Sequence, residues 1–350
     1  MESRLTTKAG PVLKRWTLST AEKLGAYAVC RSLCRRWLAV LCYHGVISHR
    51  RKGWQDLFTF LVDVSEFTAQ LEYICRHFTP VSGSELRDAL LGNRAWPRNP
   101  VLVTFDDGYR NNVTVAAPIL KRMGVPAVFH LTTAYLGATS MLWTTEIRLR
   151  VLDWPEDEIV CALGRYDLKR CGPDRHRRLG VANRLVEQCK RVCPEAREQL
   201  LVLLRSKTEA LPSLYDEEAH AFMDWEEARW LSRQGFELGS HTVSHPVLTS
   251  LGTEAVESEL RESRQAVVAG TGAPCDFLAY PNGSPADYSA EVMRLAEQAG
   301  YQAAFSVEDR HAGRCPLRWA IPRLRVYHGM PPRIFRAKVS GLYALAGREG

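Results

Sequence analysis

No stretch of the 350 residues approaches the ~20 consecutive apolar positions of a spanning helix. The ten cysteines contain no Cys-x-x-Cys pair, which excludes a zinc ribbon and argues for free thiols in a reducing compartment rather than a disulfide framework. The basic N-terminus is not followed by an uninterrupted apolar run and a small-residue cleavage site, so no secretory signal is visible. Excess charge is also missing from most of the chain. Residues 1–52 carry eleven Lys/Arg against two acids, +9 in all, so with a net charge of +7 the remainder stands at −2, too little for a nucleic-acid binder.

What is present is an ordinary globular composition, 46% apolar and 24% charged. Short apolar runs occur at Leu38–Tyr43, Val101–Phe105, Ala127–Leu131, Phe236–Gly239, Phe277–Tyr280, Ala303–Val307 and Arg323–Tyr327. Between them lie helical patterns at Val115–Met123, Trp225–Gln234, Glu254–Ala269 and Ala290–Ala299. Strands alternating with helices predict parallel strands joined by crossovers, an α/β sheet or barrel. The expected organisation is a basic helical segment over 1–37, a barrel over 38–330, and a tail or helix over 331–350. From about 138 to 222 the rhythm breaks: helix-like segments at Arg178–Val192 and Ala196–Leu204 but no convincing strand, hence a helical insertion, either a lid or a surface decoration. Residues 19–37, with Ser19 and Thr20 as possible caps, read as a basic amphipathic helix. It either covers the barrel or docks on an anionic membrane surface.

Two stretches carry chemistry. Val101 to Tyr109 is an apolar strand ending in Asp106, Asp107 and Gly108, where one acid can serve a metal and the other a proton; a turn or a helix cap is the competing reading. Phe236 to Pro246 runs into a loop with His241 and His245, four apart and able to reach one ion. Two histidines and a carboxylate leave positions open for water and substrate. His130, inside an apolar strand, reads as a core residue or a support for the site rather than a ligand. Asp224 with Glu227 reads as a capping box, and Trp143, Trp225, Trp319 and Tyr280 as core rings or sugar-stacking surfaces.

Over roughly residues 38–137 and 223–330 the chain resembles the polysaccharide deacetylases of carbohydrate esterase family four, the NodB-homology group, on Thr104-Phe-Asp-Asp-Gly108 and His241-Thr-Val-Ser-His245. The resemblance implies a distorted (β/α)7 barrel, Asp106 as general base, and a divalent ion, zinc as first expectation, on Asp107, His241 and His245. The family's Arg-x-Pro-Tyr motif survives only as Ala279-Tyr280-Pro281-Asn282, without its arginine and tyrosine side chains. Tyr280 and Asn282 are the expected substrate and oxyanion contacts there, the Asn282 backbone N–H needing no particular side chain. Arg323 is the candidate replacement for the missing arginine, a solvated strand-end charge the alternative. The late Leu-x-His motif reads Leu324-Arg325-Val326. Leu41-Cys-Tyr43-His44-Gly45-Val46 looks like the Tyr-His signature of members with motifs moved toward the N-terminus, making His44 the proposed general acid or else a structural strand-end residue.

The expected reaction is removal of N-acetyl groups from a sugar, polysaccharide or glycoconjugate; a non-sugar amide, an O-acetyl ester, or a silent glycan-binding barrel are the alternatives. The expected location is cytoplasmic, with peripheral contact at the inner membrane face.

Overall fold

The computed structural model describes residues 24–50, 58–314 and 316–347. Seven parallel strands form its centre: β1 (Ala39–Tyr43), β2 (Pro100–Phe105), β3 (Ala127–Leu131), β4 (Glu237–Ser240), β5 (Phe277–Ala279), β6 (Ala303–Phe305) and β7 (Leu324–Arg325). Their order is β6-β5-β4-β3-β2-β1-β7, and Thr79–Pro80 adds a short eighth strand beside β2. The sheet curls until Phe305 bridges Ile321, just ahead of β7, so the two edges approach each other as in a distorted barrel. Strands β1, β2 and β3 are buried along their whole length because the barrel interior lies on one side and helices on the other. That double burial is why they read as unbroken apolar runs rather than alternating ones.

The crossover helices lie where the periodicity places them: Ala117–Met123, Trp225–Arg233, Thr253–Thr271 and Ala290–Gln298. The first is preceded by a wider π-turn over Asn112–Ala116, consistent with Pro118 having no N–H to continue the ordinary ladder. Asp224 and Glu227 form the capping box that opens the helix at Trp225. After β7 come Pro332–Val339 and Leu342–Leu345, and the Tyr27 hydroxyl of helix Ala26–Leu33 donates to the Arg333 carbonyl at 3.1 Å. Ser19 and Thr20 lie outside the described residues; the described helix follows Gly25. Among the described residues no helix is long and apolar enough to cross a membrane, and their nine cysteines are free.

The segment between β3 and β4 needs one correction. It is mainly helical, with Trp143–Leu152, Arg175–Cys189 and Pro194–Lys207, but it also holds an antiparallel hairpin, Glu158–Cys161 with Gly164–Asp167. The strands are short and mostly exposed, only Ile159 and Tyr166 turning inward, so no apolar alternation announces them. The insertion has its own apolar cluster, including Ile147, Trp154, Ile159, Leu185 and Leu204, which reaches the barrel through Tyr109 and Phe222.

Candidate active site

The C-terminal ends of the strands converge on one small chamber. His44 follows β1, Asp106 and Asp107 follow β2, His241 follows β4, and Asn282 lies three residues beyond β5. All of these line a cavity of about 160 Å³, together with His245. The turns are sharp: Asp107, Thr242, His245 and Asn282 adopt positive φ, a conformation that costs energy outside glycine and marks sites where geometry is imposed. Glu259 fixes the histidine loop by accepting hydrogen bonds from the Val243 and Ser244 amides and the Ser244 hydroxyl. The Trp143 indole, from the insertion, donates to the His245 carbonyl at 3.1 Å.

Asp107 Oδ1 stands 3.5 Å from Nε2 of both His241 and His245. Donors about 2.1 Å from one tetrahedral ion are about 3.4 Å apart, so this spacing fits a shared ion. The Nδ1 of His241 lies 2.7 Å from the Ala279 carbonyl, which can only accept; it therefore carries the proton, and Nε2 turns its lone pair into the chamber. Asp107 Oδ1 is buried with no hydrogen-bond partner. Burial and the neighbouring Asp106 charge push the Asp107 carboxyl up to about 8, while burial pushes His241 down to about 4 and His245 well below its ordinary range. An orphaned carboxylate oxygen facing two neutral imidazoles is a donor set that a divalent cation satisfies.

Asp106 is held differently. Arg323, 0% exposed, grips it with two guanidinium bonds, Nη1 to Oδ1 and Nη2 to Oδ2, each 2.7 Å. His130 Nδ1 lies 3.1 Å from Oδ1, and the Cys42 thiol donates weakly to Oδ2 at 3.5 Å. Burial alone would raise the Asp106 carboxyl, but Arg323, with His241 and His130 beside it, holds it well below the usual carboxylate range. Arg323 is also tied to the Ser306 carbonyl at 2.9 Å. It is therefore a buried partner of Asp106 and not a solvated strand-end charge. His130 supports the same carboxylate and is not one of the ligand trio.

A ring nitrogen of His44 lies within 4.8 Å of both an Asp106 carboxylate oxygen and the Cys42 sulfur. Its Nδ1 is buried without a partner, and its ring meets Phe60 edge-on at 5.8 Å. Burial lowers its pKa, against the opposing pull of the Asp106 charge. Asn282 also has a buried, unpartnered group, its side-chain Nδ2.

Tyr280 requires correction. Its ring is fully buried, stacks on Tyr288 at 4.8 Å, and its hydroxyl donates to the Trp319 carbonyl at 2.9 Å, so it is core and offers no substrate contact. Trp143, Trp225 and Trp319 do not line the chamber either; the aromatic walls are Phe60 and Tyr109. Sequence reasoning also missed Leu142, Thr144, Thr145, Arg148 and Lys190, which bring the insertion into the chamber wall. Nothing in their local pattern marks them, because they reach the site only through the packing of the insertion. Tyr109 is the one with a signal, standing directly after Asp-Asp-Gly.

The polysaccharide deacetylase family model matches residues 93–177 and 193–304, together more than half of the chain. YxkH of Bacillus subtilis (strain 168), assigned by name to the polysaccharide deacetylases, is 27% identical over 117 residues, which are 33% of this chain and 41% of that relative. Among solved structures, Streptococcus pyogenes deacetylase PplD in complex with acetate superposes with a TM-score of 0.58 at 16% identity, covering 87% of this chain and 99% of that one. IcaB from Ammonifex degensii gives 0.57 at 18% identity, covering 87% and 97%. At such identities the likeness speaks for the fold, which is that of the NodB-type deacetylases. The fold likeness and the matched residues agree, and the chain belongs to the polysaccharide deacetylase family.

Proposed function

We propose that this chain is a metal-dependent hydrolase that removes N-acetyl groups from an N-acetylated sugar, polysaccharide or glycoconjugate and releases acetate. The observation that carries this reading is the buried set Asp107, His241 and His245 beside a second, separately held carboxylate, Asp106, in one chamber. A divalent ion bound there, zinc by first expectation, would polarise the acetamide carbonyl and acidify a water molecule.

The remaining roles fall to the chain itself. A carboxylate has about four acceptor positions. Arg323 takes two on Asp106 and His130 one, so the fourth, on Oδ2, meets only the weak Cys42 contact and can exchange it for the proton of the attacking water. Arg323 and His130 thus act as positioning residues that fix the carboxylate plane. Charge developing on the carbonyl oxygen can be met by the Asn282 backbone N–H and its unpartnered Nδ2. His44 is within reach of Asp106 through one water, so a proton received at the carboxylate can return through the imidazole to the departing nitrogen. Acetate release from N-acetylglucosamine oligomers and lipid-linked precursors, measured alongside bound metal, tests the whole reading.

The acid role of His44 has its own test. General acid catalysis contributes about 10²–10⁴-fold, most where the leaving group is poor. His44→Ala is expected to keep its metal and lose amide cleavage by that order, while hydrolysis of nitrophenyl acetate, whose leaving group departs without a proton, falls far less. Equal losses on both substrates at an unchanged melting temperature would remove His44 from the mechanism.

We also propose a cytoplasmic location with peripheral contact at the anionic inner face of the membrane through residues 19–37. Helix Ala26–Leu33 buries Tyr27 and Cys30 against the protein and turns Val29 and Leu33 outward, with Leu24 exposed just before it and Arg35 and Arg36 just after. Exposed apolar side chains flanked by cations favour such a surface. Binding to anionic vesicles should weaken as salt rises and be lost in the Leu24→Asp/Val29→Asp/Leu33→Asp variant. Unchanged binding by that variant would leave the helix as a cover for the barrel.

A further inference from the structure

The chamber opens into a cleft of about 1100 Å³, and the two share His44, Phe60, Arg148, Lys190, Asn282 and Val307. The charges along this cleft do not cancel. Lys190 is paired with Glu187 at 2.7 Å, and Asp309 is paired with Lys338 at 2.6 Å. Asp287 accepts from the amide and hydroxyl of Ser284 and keeps its charge, one anion against the three arginines that remain. Arg148, Arg191 and Arg325 also line the cleft, and none of the three is in an ion pair among the described residues.

Arg148 is the most informative of them. It sits on the insertion helix Trp143–Leu152, in the wall where chamber and cleft meet. Its Nε donates to the Asn183 side-chain oxygen at 2.9 Å and its Nη1 to the Thr144 carbonyl at 3.1 Å, so neutral acceptors fix its direction without neutralising it. The half-buried guanidinium makes no ion pair of its own: burial pulls its pKa below the ordinary arginine value against the attraction of Glu187, whose carboxylate is already paired with Lys190. Arg325 enters from the barrel side, directly after Leu324 of β7, and Arg191 lies two residues beyond the insertion helix Arg175–Cys189. The insertion and the barrel therefore face each other across the cleft with a net excess of positive charge, next to the chamber proposed to take the acetamide.

Resting on the deacetylase reading, we infer that the substrate is an anionic glycoconjugate, an N-acetyl sugar bearing a phosphate-class group close to the acetamide, and that Arg148 receives that group. The planar fork of a guanidinium suits the oxygens of a phosphate ester, and Arg191 and Arg325 extend the same attraction along the cleft. The insertion then selects the substrate by charge. A free sugar phosphate and a sugar on a polyprenyl diphosphate carry the same chemistry.

The test is binding of glucosamine 1-phosphate against methyl glucosaminide, neither of which has an acetyl group to lose, measured by calorimetry on the metal-loaded protein. The phosphorylated probe is expected to bind at least about tenfold more tightly at low salt, as a charge-assisted contact supplies. That advantage should shrink as salt rises and disappear in Arg148→Gln. Arg191→Gln/Arg325→Gln, which changes exposed side chains, should reduce it several-fold even if Arg148→Gln fails to fold. Equal binding of the neutral probe and of every phosphorylated one overturns the inference. So does a phosphate advantage that survives in the variants, because the phosphate would then be sitting on the metal. Adding a short polyprenyl diphosphate glucosamine distinguishes the two sources, and tighter binding of either charged probe than of the neutral one supports the inference. If the charge preference is found but no N-acetyl compound releases acetate, the deacetylase reading fails while the anion site stands.

Discussion

His241→Ala and His245→Ala are each expected to lower metal affinity by more than about 100-fold and to abolish turnover. Removing even a partner that merely orients a ligand typically costs about 10–100-fold, and here a ligand itself is lost. Only Asp107 and one imidazole would remain, and Asp107 is already strained, its carboxyl pushed up to about 8 by burial and the Asp106 charge. The same shifts fix the sign of the pH dependence. In the metal-free protein the histidines are neutral, His241 pushed down to about 4 and His245 well below its normal range. Between about pH 5 and 8, therefore, only Asp107 must give up a proton for the ion to bind. Wild-type affinity should rise by about tenfold per pH unit up to about pH 8 and then level off. Chelator-competition titrations measure both effects. Wild-type metal content in either alanine variant would dismantle the proposed centre.

Asp106→Asn should cost about 10²–10⁴-fold in turnover while leaving the three ligands in place. It should also cost stability, which a simple base would not. Both Asp106 oxygens are occupied by Arg323, and an asparagine must turn its NH₂ toward one of those N–H groups, leaving a fully buried guanidinium without its counter-charge. Breaking one side of a buried ion pair costs about 3–5 kcal/mol. Asp106→Asn/Arg323→Gln removes both charges and should recover much of that stability without recovering activity. Denaturant unfolding of the two singles and the double, with acetate release from each, separates the structural contribution of the pair from the chemical one. A single variant with turnover within a few-fold of wild type would exclude Asp106 as the base.

Much of the barrel is legible in the sequence because parallel strands buried on both faces leave unbroken apolar runs. The run Ala127–Leu131 coincides with β3, and the runs at Leu38 and Val101 differ from β1 and β2 by one residue at the start. The run Arg323–Tyr327 overshoots the last strand, since Val326 keeps only its amide bond to the Cys42 carbonyl before the chain turns away. The insertion is less legible, because its hairpin exposes most of its side chains and its place over the chamber depends on contacts such as Trp143 to the His245 carbonyl. Of the candidate site residues, His44, Asp106, Asp107, His241, His245 and Asn282 come together in the chamber, and Arg323 stands behind Asp106. Motif spacing is enough for these because each follows the end of a strand or reaches into the barrel. It fails for Tyr280 because position in a motif does not tell which way a side chain leaves the strand. The ring goes to the core while Asn282, two residues on and at positive φ, turns to the chamber.

Acetate release from N-acetylated glycans before and after chelation decides whether a metal on Asp107, His241 and His245 serves amide hydrolysis. The protein as purified is expected to release acetate, to lose that activity when the metal is stripped, and to regain it on stoichiometric addition of zinc or another divalent ion. Turnover that persists undiminished in fully metal-free protein would contradict that expectation.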